Sequence, residues 1–247
     1  KMVFIVDHNV PSDCQKTAAS QKKMRDFAKE NNIDFWEGKG VCHQVMMENY
    51  VCPGELIFGA DSHTCSYGAL GAFGTGVGCT DLLYGMVTGK SWVLVPETVK
   101  FNLVGKLPEG VYARDLILTI IGTIGANGCN YQVMEFTGEG AKTLSISERM
   151  VLCNMAVEAG AKTGIFEPDE KAIEYLEAHG RKPKALFKSD PDAVYAREYT
   201  FDLSKIRPVV AKPDFVDNLV PAEEVRGVKI DEAFLGSCNN GRIEDLR

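Results

Sequence analysis

The sequence predicts an α/β protein whose sheets are mainly parallel. Apolar runs that end abruptly in polar residues alternate with amphipathic helical patterns along most of the chain. Such alternation requires crossover connections, which bring successive strands into parallel alignment. The 247 residues are 45% hydrophobic and 25% charged, a balance typical of a globular protein and not of a disordered or collagen-like chain.

In the first part of the chain, two apolar runs are each followed directly by ionisable or polar residues. Residues 2–6 form a buried strand that stops at Asp7 and His8, and residues 55–58 form another that leads into Asp61, Ser62 and His63. Between them, residues 15–30 carry apolar side chains at helical spacing and predict a helix. A further helix is expected from about residue 80, followed by a strand over residues 92–95.

The second part of the chain has a different pattern, beginning after residue 97. We predict a strand over residues 99–104 and helices over residues 114–124, 148–158 and 170–178. Ser145 and Glu148 have the spacing of a capping box at the start of the middle helix. Residues 181–226 are richer in proline and charge and are expected to form a less regular excursion, before a last strand over residues 230–235.

This change of pattern predicts the domain organisation. We expect a first α/β domain over residues 1–97, a second over residues 98–226, and the start of a third over residues 227–247. The chain opens directly on a core strand and stops where a helix should begin. We therefore expect it to be truncated at both ends.

Charge and hydropathy narrow the functional classes. Lys and Arg number 27 against 34 Asp and Glu, a net charge of −7, which argues against a general polyanion binder and makes nucleic acid an unfavoured partner. No apolar run approaches the roughly 20 residues of a membrane span, and no signal-peptide pattern opens the chain. A cytoplasmic protein without a membrane partner is expected, and a small anionic substrate is compatible with this charge.

Eight cysteines are spread along the chain, and no two have C-x-x-C spacing. This excludes a zinc ribbon or a self-contained iron–sulfur motif. A disulfide framework is not expected in a reducing compartment, and a chain of this length builds a core without one. Most of these cysteines are expected to be small apolar filling residues.

Three of the four histidines lie at predicted strand ends or loops. Asp7 adjoins His8, Asp61 lies two residues before His63, and His43 is in a loop-like stretch that could reach a carboxylate in space. A carboxylate that binds one imidazole nitrogen fixes the tautomer and raises the pKa, which prepares the other nitrogen for proton transfer. His179 is expected to be structural, at an exposed helix end.

Three other stretches partly match known catalytic or nucleotide-binding motifs, but the sequence around each one does not fit the motif. The glycines of residues 68–78 indicate close backbone approach or an anion-binding turn, but they do not form a dinucleotide fingerprint. Residues 85–91 are one residue short of a phosphate loop and precede a strand instead of following one. Ser62 has no nucleophile elbow around it, so a serine hydrolase is disfavoured.

Several short stretches taken together resemble the aconitase superfamily. They are Asp7-His8-Asn9-Val10-Pro11, His43-Gln44-Val45, Asp61-Ser62-His63-Thr64, Glu135-Phe136-Thr137-Gly138-Glu139, Cys153-Asn154-Met155-Ala156-Val157-Glu158 and Gly236-Ser237-Cys238-Asn239-Asn240-Gly241-Arg242. They occur in the family's order and span nearly the whole chain. Within the family, the chain is most similar to the large subunits of the isopropylmalate dehydratase branch, with the homoaconitase and 2,3-dimethylmalate dehydratase branches as relatives.

The resemblance implies three-layer α/β/α domains around a [4Fe–4S] cluster and a separate small subunit that carries a mobile fourth domain. It implies a hydro-lyase that reversibly dehydrates or isomerises a small anionic hydroxy-dicarboxylic acid such as isopropylmalate. Hydroxide is a poor leaving group and the carbon-bound proton is barely acidic, so a Lewis acid and acid–base groups are needed.

The resemblance also implies roles for particular residues. Asp7 with His8, His43 with Asp61, and His63 with Glu135 would form three carboxylate–imidazole pairs. Either His8 or His63 would protonate the departing hydroxyl, and Ser62 would lie against the cluster or the substrate carboxylate. Cys238 resembles the first of three cluster ligands, whose other two belong to a C-x-x-C that is absent from this sequence.

The sequence departs from the family at two places. Asn239 stands where the family usually has threonine after the cluster cysteine, and Asn130-Tyr131-Gln132 stands where it more often has small residues, so an atypical substrate preference is expected. Cys238 alone cannot hold a cluster. The chain is therefore expected to lack the cluster and activity by itself. A cluster-free RNA-binding protein and a non-catalytic remnant are the alternatives from other classes.

Overall fold

The computed structural model describes residues 1–246, so that Arg247, the last residue of the predicted third domain, lies outside the described residues. The strands are β1 (Val3–Val6), β2 (Asp34–Glu37), β3 (Leu56–Gly59), β4 (Phe73–Gly76), β5 (Thr98–Val104), β6 (Val133–Thr137), β7 (Thr163–Phe166), β8 (Arg197–Asp202), β9 (Val209–Ala211) and β10 (Leu219–Pro221). The α-helices are α1 (Gln15–Glu30), α2 (Cys42–Asn49), α3 (Cys79–Thr88), α4 (Ala113–Ile124), α5 (Glu139–Thr143), α6 (Ile146–Asn154) and α7 (Glu170–Ala178). The 3₁₀ helices are Ser62–Leu70, Met155–Ala159, Leu203–Lys205 and Ala222–Val225.

The sheets are mainly parallel, as predicted. β1 pairs with β2, β3 pairs with β4, and a four-stranded parallel sheet has the order β7, β6, β5, β8. The hairpin of β9 and β10 is antiparallel. Because strands joined by crossovers end at the same edge of a sheet, this arrangement brings the loops that follow them together.

A row of aromatic rings crosses the four-stranded sheet and forms the centre of the core. Phe101 on β5 pairs in register with Phe136 on β6 and Tyr199 on β8, and Phe136 pairs with Phe166 on β7. Adjacent ring centroids lie 5.1–5.6 Å apart, a spacing at which aromatic pairs attract beyond their buried area. The core thus holds β5, β6, β7 and β8 in one register.

Local sequence signals explain the helix boundaries. Ser145 Oγ accepts a hydrogen bond from the Glu148 amide at 3.2 Å, and the Glu148 carboxylate accepts one from the Ser145 amide at 2.7 Å, which confirms the predicted capping box. α6 ends at Asn154, and the chain continues as the Met155–Ala159 3₁₀ helix until Gly160 adopts a left-handed conformation with φ +78°. The predicted helix over residues 148–158 is therefore two consecutive helical segments.

The Ser62–Leu70 3₁₀ helix packs closely on α6 and β7. At Gly68 an added Cβ would lie 1.7 Å from the carbonyl oxygen of Gly164 on β7. No side chain fits at that distance, so the glycine is needed for the close approach of helix and strand. This contact seats the segment that carries Ser62 and His63 directly on the core.

Two predicted strands are wrong. Residues 92–95 and 230–235 are not in strands, and no strand among residues 1–246 pairs with either segment. Their apolar side chains are exposed; Trp92 is 79% exposed and Phe234 is 82% exposed. An apolar run predicts burial, but it forms a strand only where a partner supplies the ladder hydrogen bonds. The excursion over residues 181–226 is more regular than expected, because it contains β8, β9 and β10.

Candidate active site

Asp7 and His8 form the first pair of the site, at the end of β1. His8 Nδ1 lies 2.8 Å from Asp7 Oδ1, and Asp7 Oδ2 accepts a 2.6 Å hydrogen bond from the Cys42 amide at the start of α2. The Asp7 side chain is 9% exposed whereas that of His8 is 75% exposed. The buried Asp7 carboxylate thus fixes the exposed imidazole of His8. Its hydrogen bond and charge raise the pKa of His8.

Asp61 is the centre of the site. Its Oδ1 accepts hydrogen bonds from His43 Nε2 at 2.9 Å and from the His63 amide at 2.7 Å. Its Oδ2 lies 3.9 Å from His8 Nε2. The hydrogen bonds from His43 and His63 hold the pKa of Asp61 well below its usual range, against an opposing effect of burial. Asp61 is therefore a carboxylate shared by three histidines.

His43 is the buried member of the three histidines. It lies on α2, where the side chain is 3% exposed, and its Nδ1 is 3.3 Å from the hydroxyl of Tyr67. Asp61 and Tyr67 thus occupy the two ring nitrogens from opposite sides. This arrangement fixes the orientation of the imidazole.

His63 lies between two carboxylates. Its Nδ1 is 3.6 Å from Asp61 Oδ1 and its Nε2 is 3.8 Å from Glu158 Oε1. The neighbouring carboxylates, Asp61 first and then Glu158, raise the pKa of His63 to about 10. His63 is therefore a cation at neutral pH. Ser62 Oγ lies 3.3 Å from His63 Nδ1.

Cys238 approaches these histidines from the loop that follows residue 235. Its Sγ accepts a hydrogen bond from Asn154 Nδ2 at 3.4 Å, and Asn239 Nδ2 donates to Asn154 Oδ1 at 3.0 Å. The Arg114 guanidinium donates to Asn239 Oδ1. Arg242 donates to the backbone oxygens of Asn239 and Cys238 at 2.8 and 3.2 Å. These contacts hold the thiol beside the histidines.

Most of the predicted site residues come together. Potential ligand atoms of His43, His63 and Cys238 all lie within 4.8 Å of one another. Asp7, His8, His43 and Asp61 line a cavity of about 670 Å³, and Ser62 lines a second of about 620 Å³, which is the size range of small-molecule sites.

Glu135 is not beside His63, so the expected pairing of these two residues is not formed. The Glu135 carboxylate accepts hydrogen bonds from Ser189 Oγ at 2.9 Å and Tyr195 OH at 3.0 Å. Glu135 lies on β6, whereas the 3₁₀ helix after α6 brings Glu158 to His63. His179, expected to be structural, has its Nδ1 2.7 Å from the carbonyl oxygen of Tyr175 in α7.

Sequence reasoning missed several residues of the site: Tyr67, Arg114, Asn154, Glu158 and Arg242. Asn154, Glu158 and Arg242 belong to stretches that carried the family resemblance, so their signal was present but was not assigned a role. Tyr67 and Arg114 carried no distinguishing motif. Only the packing of α4 and the 236–242 loop against α6 brings Arg114 near Cys238.

Comparison with known proteins identifies the family. The model of the aconitase family (aconitate hydratase) matches residues 2–227. The chain belongs to the aconitase family. It is 50% identical over its whole length to the 3-isopropylmalate dehydratase large subunit 1 of Methanopyrus kandleri, of which it covers 60%.

Two relatives from Methanothermobacter thermautotrophicus represent different branches of the aconitase family. The chain is 52% identical to a probable 3-isopropylmalate dehydratase large subunit, of which it covers 60%. It is 48% identical to a probable methanogen homoaconitase large subunit, of which it covers 58%. Both alignments include the whole of this chain. The chain thus spans about 60% of the length of the curated relatives it matches.

Membership of the aconitase family implies a [4Fe–4S] cluster, and Cys238 fits one ligand position. Its thiol accepts a hydrogen bond from the Asn154 side chain, as cluster ligands commonly do. Cys65 is buried, its thiol donates to the Asn154 carbonyl oxygen at 3.4 Å, and it does not belong to the grouping of His43, His63 and Cys238. Among residues 1–246, no grouping of potential metal ligands contains two cysteines. The described residues fit one corner of a cluster and do not complete it.

No helix within residues 1–246 has both the length and the apolar character that a bilayer crossing requires.

Proposed function

We propose that this chain is part of the large subunit of a hydro-lyase that reversibly dehydrates a hydroxy-dicarboxylic acid. The observation that carries the proposal is the convergence of Asp7, His8, Asp61, His63 and Cys238 at one site. Isopropylmalate is the first candidate substrate, and the related hydroxy-tricarboxylic acid of the homoaconitase branch is the second, since relatives named for both branches are about equally similar.

We assign the proton donor to His8. Its Nδ1 is held by Asp7, so the exposed Nε2 carries the proton that would move to the departing hydroxyl. The pKa of His8 is raised, whereas that of His63 reaches about 10. A group with a pKa close to the working pH transfers its proton most efficiently, and His63 holds its proton too firmly for this role.

His63 instead acts as a fixed cation for a substrate carboxylate. Asp61 and Glu158 keep it protonated, and Ser62 Oγ beside Nδ1 adds a hydroxyl donor at the same point. Asp61 also orients His43, and Glu158 is the carboxylate partner of His63 in place of Glu135. A carboxylate anchored by a cation and a hydroxyl would be oriented for the reaction at His8.

Cys238 would hold one iron of a [4Fe–4S] cluster. When bound, the cluster supplies a Lewis acid for the hydroxyl that leaves. The contribution of the described residues is to fix the thiol: Asn154 donates to its sulfur, and Arg242 donates to the backbone carbonyl oxygens of Cys238 and Asn239. On the family resemblance, the remaining cysteine ligands would lie in the part of the large subunit that this chain does not span.

Two further assignments accompany this proposal. A separate small subunit would complete the protein, as the large-subunit names of the relatives suggest. We further propose that this small subunit carries a mobile fourth domain that covers the site. Our proposed compartment is the cytoplasm, since the eight cysteines are free thiols among the described residues.

Anaerobic reconstitution tests the function. The complete large subunit is loaded with iron and sulfide, mixed with its small subunit, and assayed for hydration of the alkene dicarboxylate of the isopropylmalate series and of the alkene tricarboxylate homoaconitate. We expect turnover of one series and its loss in the Cys238→Ser variant. A reconstituted protein that hydrates neither alkene, while its cluster absorbance is present, would refute the proposal.

A further inference from the structure

Gln44 connects the helix that carries His43 to the loop that carries Cys238. It follows His43 on α2, and its Oε1 accepts a hydrogen bond from Arg242 Nε at 3.3 Å. Arg242 Nη1 and Nη2 donate to the carbonyl oxygens of Asn239 and Cys238 at 2.8 and 3.2 Å. One guanidinium therefore joins a side chain of α2 to the backbone of the proposed cluster ligand.

The Arg242 guanidinium depends on these acceptors. Its side chain is 11% exposed, and Asp245 Oδ2 lies 4.0 Å from Nη1. A largely buried cation is unfavourable unless its N–H groups are hydrogen-bonded. Gln44 Oε1 is the acceptor for Nε among the described residues. Its loss would leave this N–H unpaired and draw the guanidinium, with the loop bound to it, toward solvent.

The neighbours of Gln44 fix the direction of its amide. Nε2 donates to Glu48 Oε1 at 2.7 Å, one turn further along α2, and to the Tyr175 hydroxyl on α7 at 3.4 Å. An ionised carboxylate only accepts hydrogen bonds, and a guanidinium only donates them. The amide therefore satisfies both charged groups in one orientation, with its oxygen toward Arg242.

α2 is the firmer of the two connected segments. His43 is held at both ring nitrogens, and the Arg181 guanidinium donates to carbonyl oxygens at the carboxyl end of the helix. Residues 236–242, which lie within the described part of the chain, form neither helix nor strand. The loop therefore takes its position from α2, through Gln44 and Arg242.

We propose that Gln44 is a positioning residue, which acts through Arg242 to set the separation of Cys238 from His43. Potential ligand atoms of Cys238 and His43 lie within 4.8 Å of one another. This role rests on the proposed function, in which the histidines and the cluster ligand serve one substrate. Gln44 takes no part in the chemistry; its amide oxygen holds the loop so that both groups face the same point.

Alkylation of Cys238 tests the contact without an activity assay. The reduced, cluster-free chain is treated with iodoacetamide, and the rate at each cysteine is measured from peptide masses. Gln44→Met keeps the length of the side chain but offers no amide oxygen, so the loop should open more often and Cys238 should react at least about fivefold faster. Cys14 and Cys79, both exposed, should react at unchanged rates. An unchanged rate at Cys238 would overturn the proposal.

Further variants show whether the amide oxygen is responsible. Gln44→Glu keeps an acceptor toward Arg242, and its Cys238 should react within about twofold of the native rate. In the Arg242→Met background, Gln44→Met should cause no further increase. Gln132→Met is the matched control, because Gln132 Oε1 accepts a hydrogen bond from Arg197 at 2.6 Å in an equivalent contact elsewhere.

Three results of these variants would contradict the assignment. They are equal acceleration in Gln44→Glu and Gln44→Met, additive effects of Gln44→Met and Arg242→Met, and acceleration in Gln132→Met. Circular dichroism of each variant verifies folding, and the comparison of the two Gln44 variants decides the test if Arg242→Met does not fold.

Kinetics of the complete enzyme separate positioning from general stability. Gln44→Met should lower kcat about tenfold and change KM less, and Gln44→Glu should recover the native kcat. A native kcat in Gln44→Met would refute the role of Gln44 while the proposed function stands. Absence of turnover in the native enzyme would refute the proposed function, and the alkylation rates would still decide whether Gln44 holds the loop.

Discussion

Asn154 donates a hydrogen bond from Nδ2 to the sulfur of Cys238 at 3.4 Å, and the same amide accepts one from Asn239 at 3.0 Å. Asn154 is 1% exposed and lies at the end of α6, so it connects the rigid core to the loop that carries the thiol. The position of Cys238 therefore depends on a neutral side chain of the core.

Replacement of Asn154 should loosen this loop. Asn154→Ala leaves the buried amide of Asn239 without one of its acceptors, and we expect the free energy of unfolding to fall by about 1–3 kcal/mol. Hydrogen exchange at residues 236–242 should accelerate. Asn127→Ala, at an exposed position, is the control and should change neither quantity. Unaltered exchange in the loop of Asn154→Ala would contradict this account.

The ion pair between Arg149 and Asp169 should contribute strongly to stability. Arg149 Nη1 and Nη2 donate to the two carboxylate oxygens at 2.8 and 2.5 Å, and the arginine is 1% exposed. Arg149→Met removes the partner of a largely buried carboxylate, so we expect a loss of about 3–5 kcal/mol in urea unfolding. Lys188→Met breaks an exposed pair with Glu167 at 3.0 Å and should cost under about 1 kcal/mol. Equal losses in the two variants would count against the role of burial.

The ion pair between Arg149 and Asp169 also predicts that the stability of the fold depends on pH in the acidic range. Burial opposes ionisation of Asp169, but the hydrogen bonds and charge of Arg149 outweigh it and lower the pKa of this carboxyl. The pair therefore stabilises the fold above the ordinary aspartate pKa of about 4, and this contribution is lost as the pH falls through the lowered value. The free energy of unfolding in urea, measured from pH 6 downward, should fall less steeply with pH in Arg149→Met than in the native chain. If the two pH profiles ran parallel, the pair of Arg149 and Asp169 would not be the source of the acid sensitivity.

The hydroxyl of Tyr67 should determine the tautomer of His43. It lies 3.3 Å from Nδ1 while Asp61 occupies Nε2. Tyr67→Phe removes one buried hydrogen bond, with an expected cost of about 0.5–1.5 kcal/mol, and nitrogen chemical shifts of His43 should change. The control is Tyr84→Phe, since Tyr84 is exposed. If the nitrogen chemical shifts of His43 were unchanged in Tyr67→Phe, Tyr67 would have no role in setting the tautomer of His43.

His8 and His63 should differ in their kinetic effects in the complete enzyme. His8→Asn removes the proposed donor, and kcat should fall by about 10² or more. His63→Gln removes the proposed carboxylate-binding cation, and KM should rise more than kcat falls. His179→Asn alters an exposed histidine at the end of α7 and should leave both constants unchanged. If His8→Asn mainly raised KM and His63→Gln mainly lowered kcat, the two proposed roles would have to be exchanged.

The sequence predicted much of the fold because several elements carry strong local signals. The bounds of α1 follow from helical spacing, and α6 begins at a capping box. β8 was missed because Arg197 and Glu198 make it look like a surface segment, although Tyr199 and Phe201 face the ring of Phe101. Its burial depends on β5, a partner almost 100 residues earlier in the chain.

The site was predicted less completely. Asp7 and Asp61, which follow strands β1 and β3, were identified because each comes after an apolar run that is visible in the sequence. The partner of His63 was not predicted, because Glu135 and Glu158 are both glutamates and only the turn from α6 into a 3₁₀ helix brings Glu158 within reach. Which acid approaches a histidine is a property of tertiary packing.

The contact of Gly68 with Gly164 carries a consequence for variation in this protein. In a library of random substitutions, position 68 should reject every other amino acid, although glycine there performs no chemistry. Even alanine would push the segment that bears Ser62 and His63 away from β7. The spacing of the reactive groups is thus protected by two residues that a screen for functional side chains would overlook, and their loss would be recorded as a loss of activity.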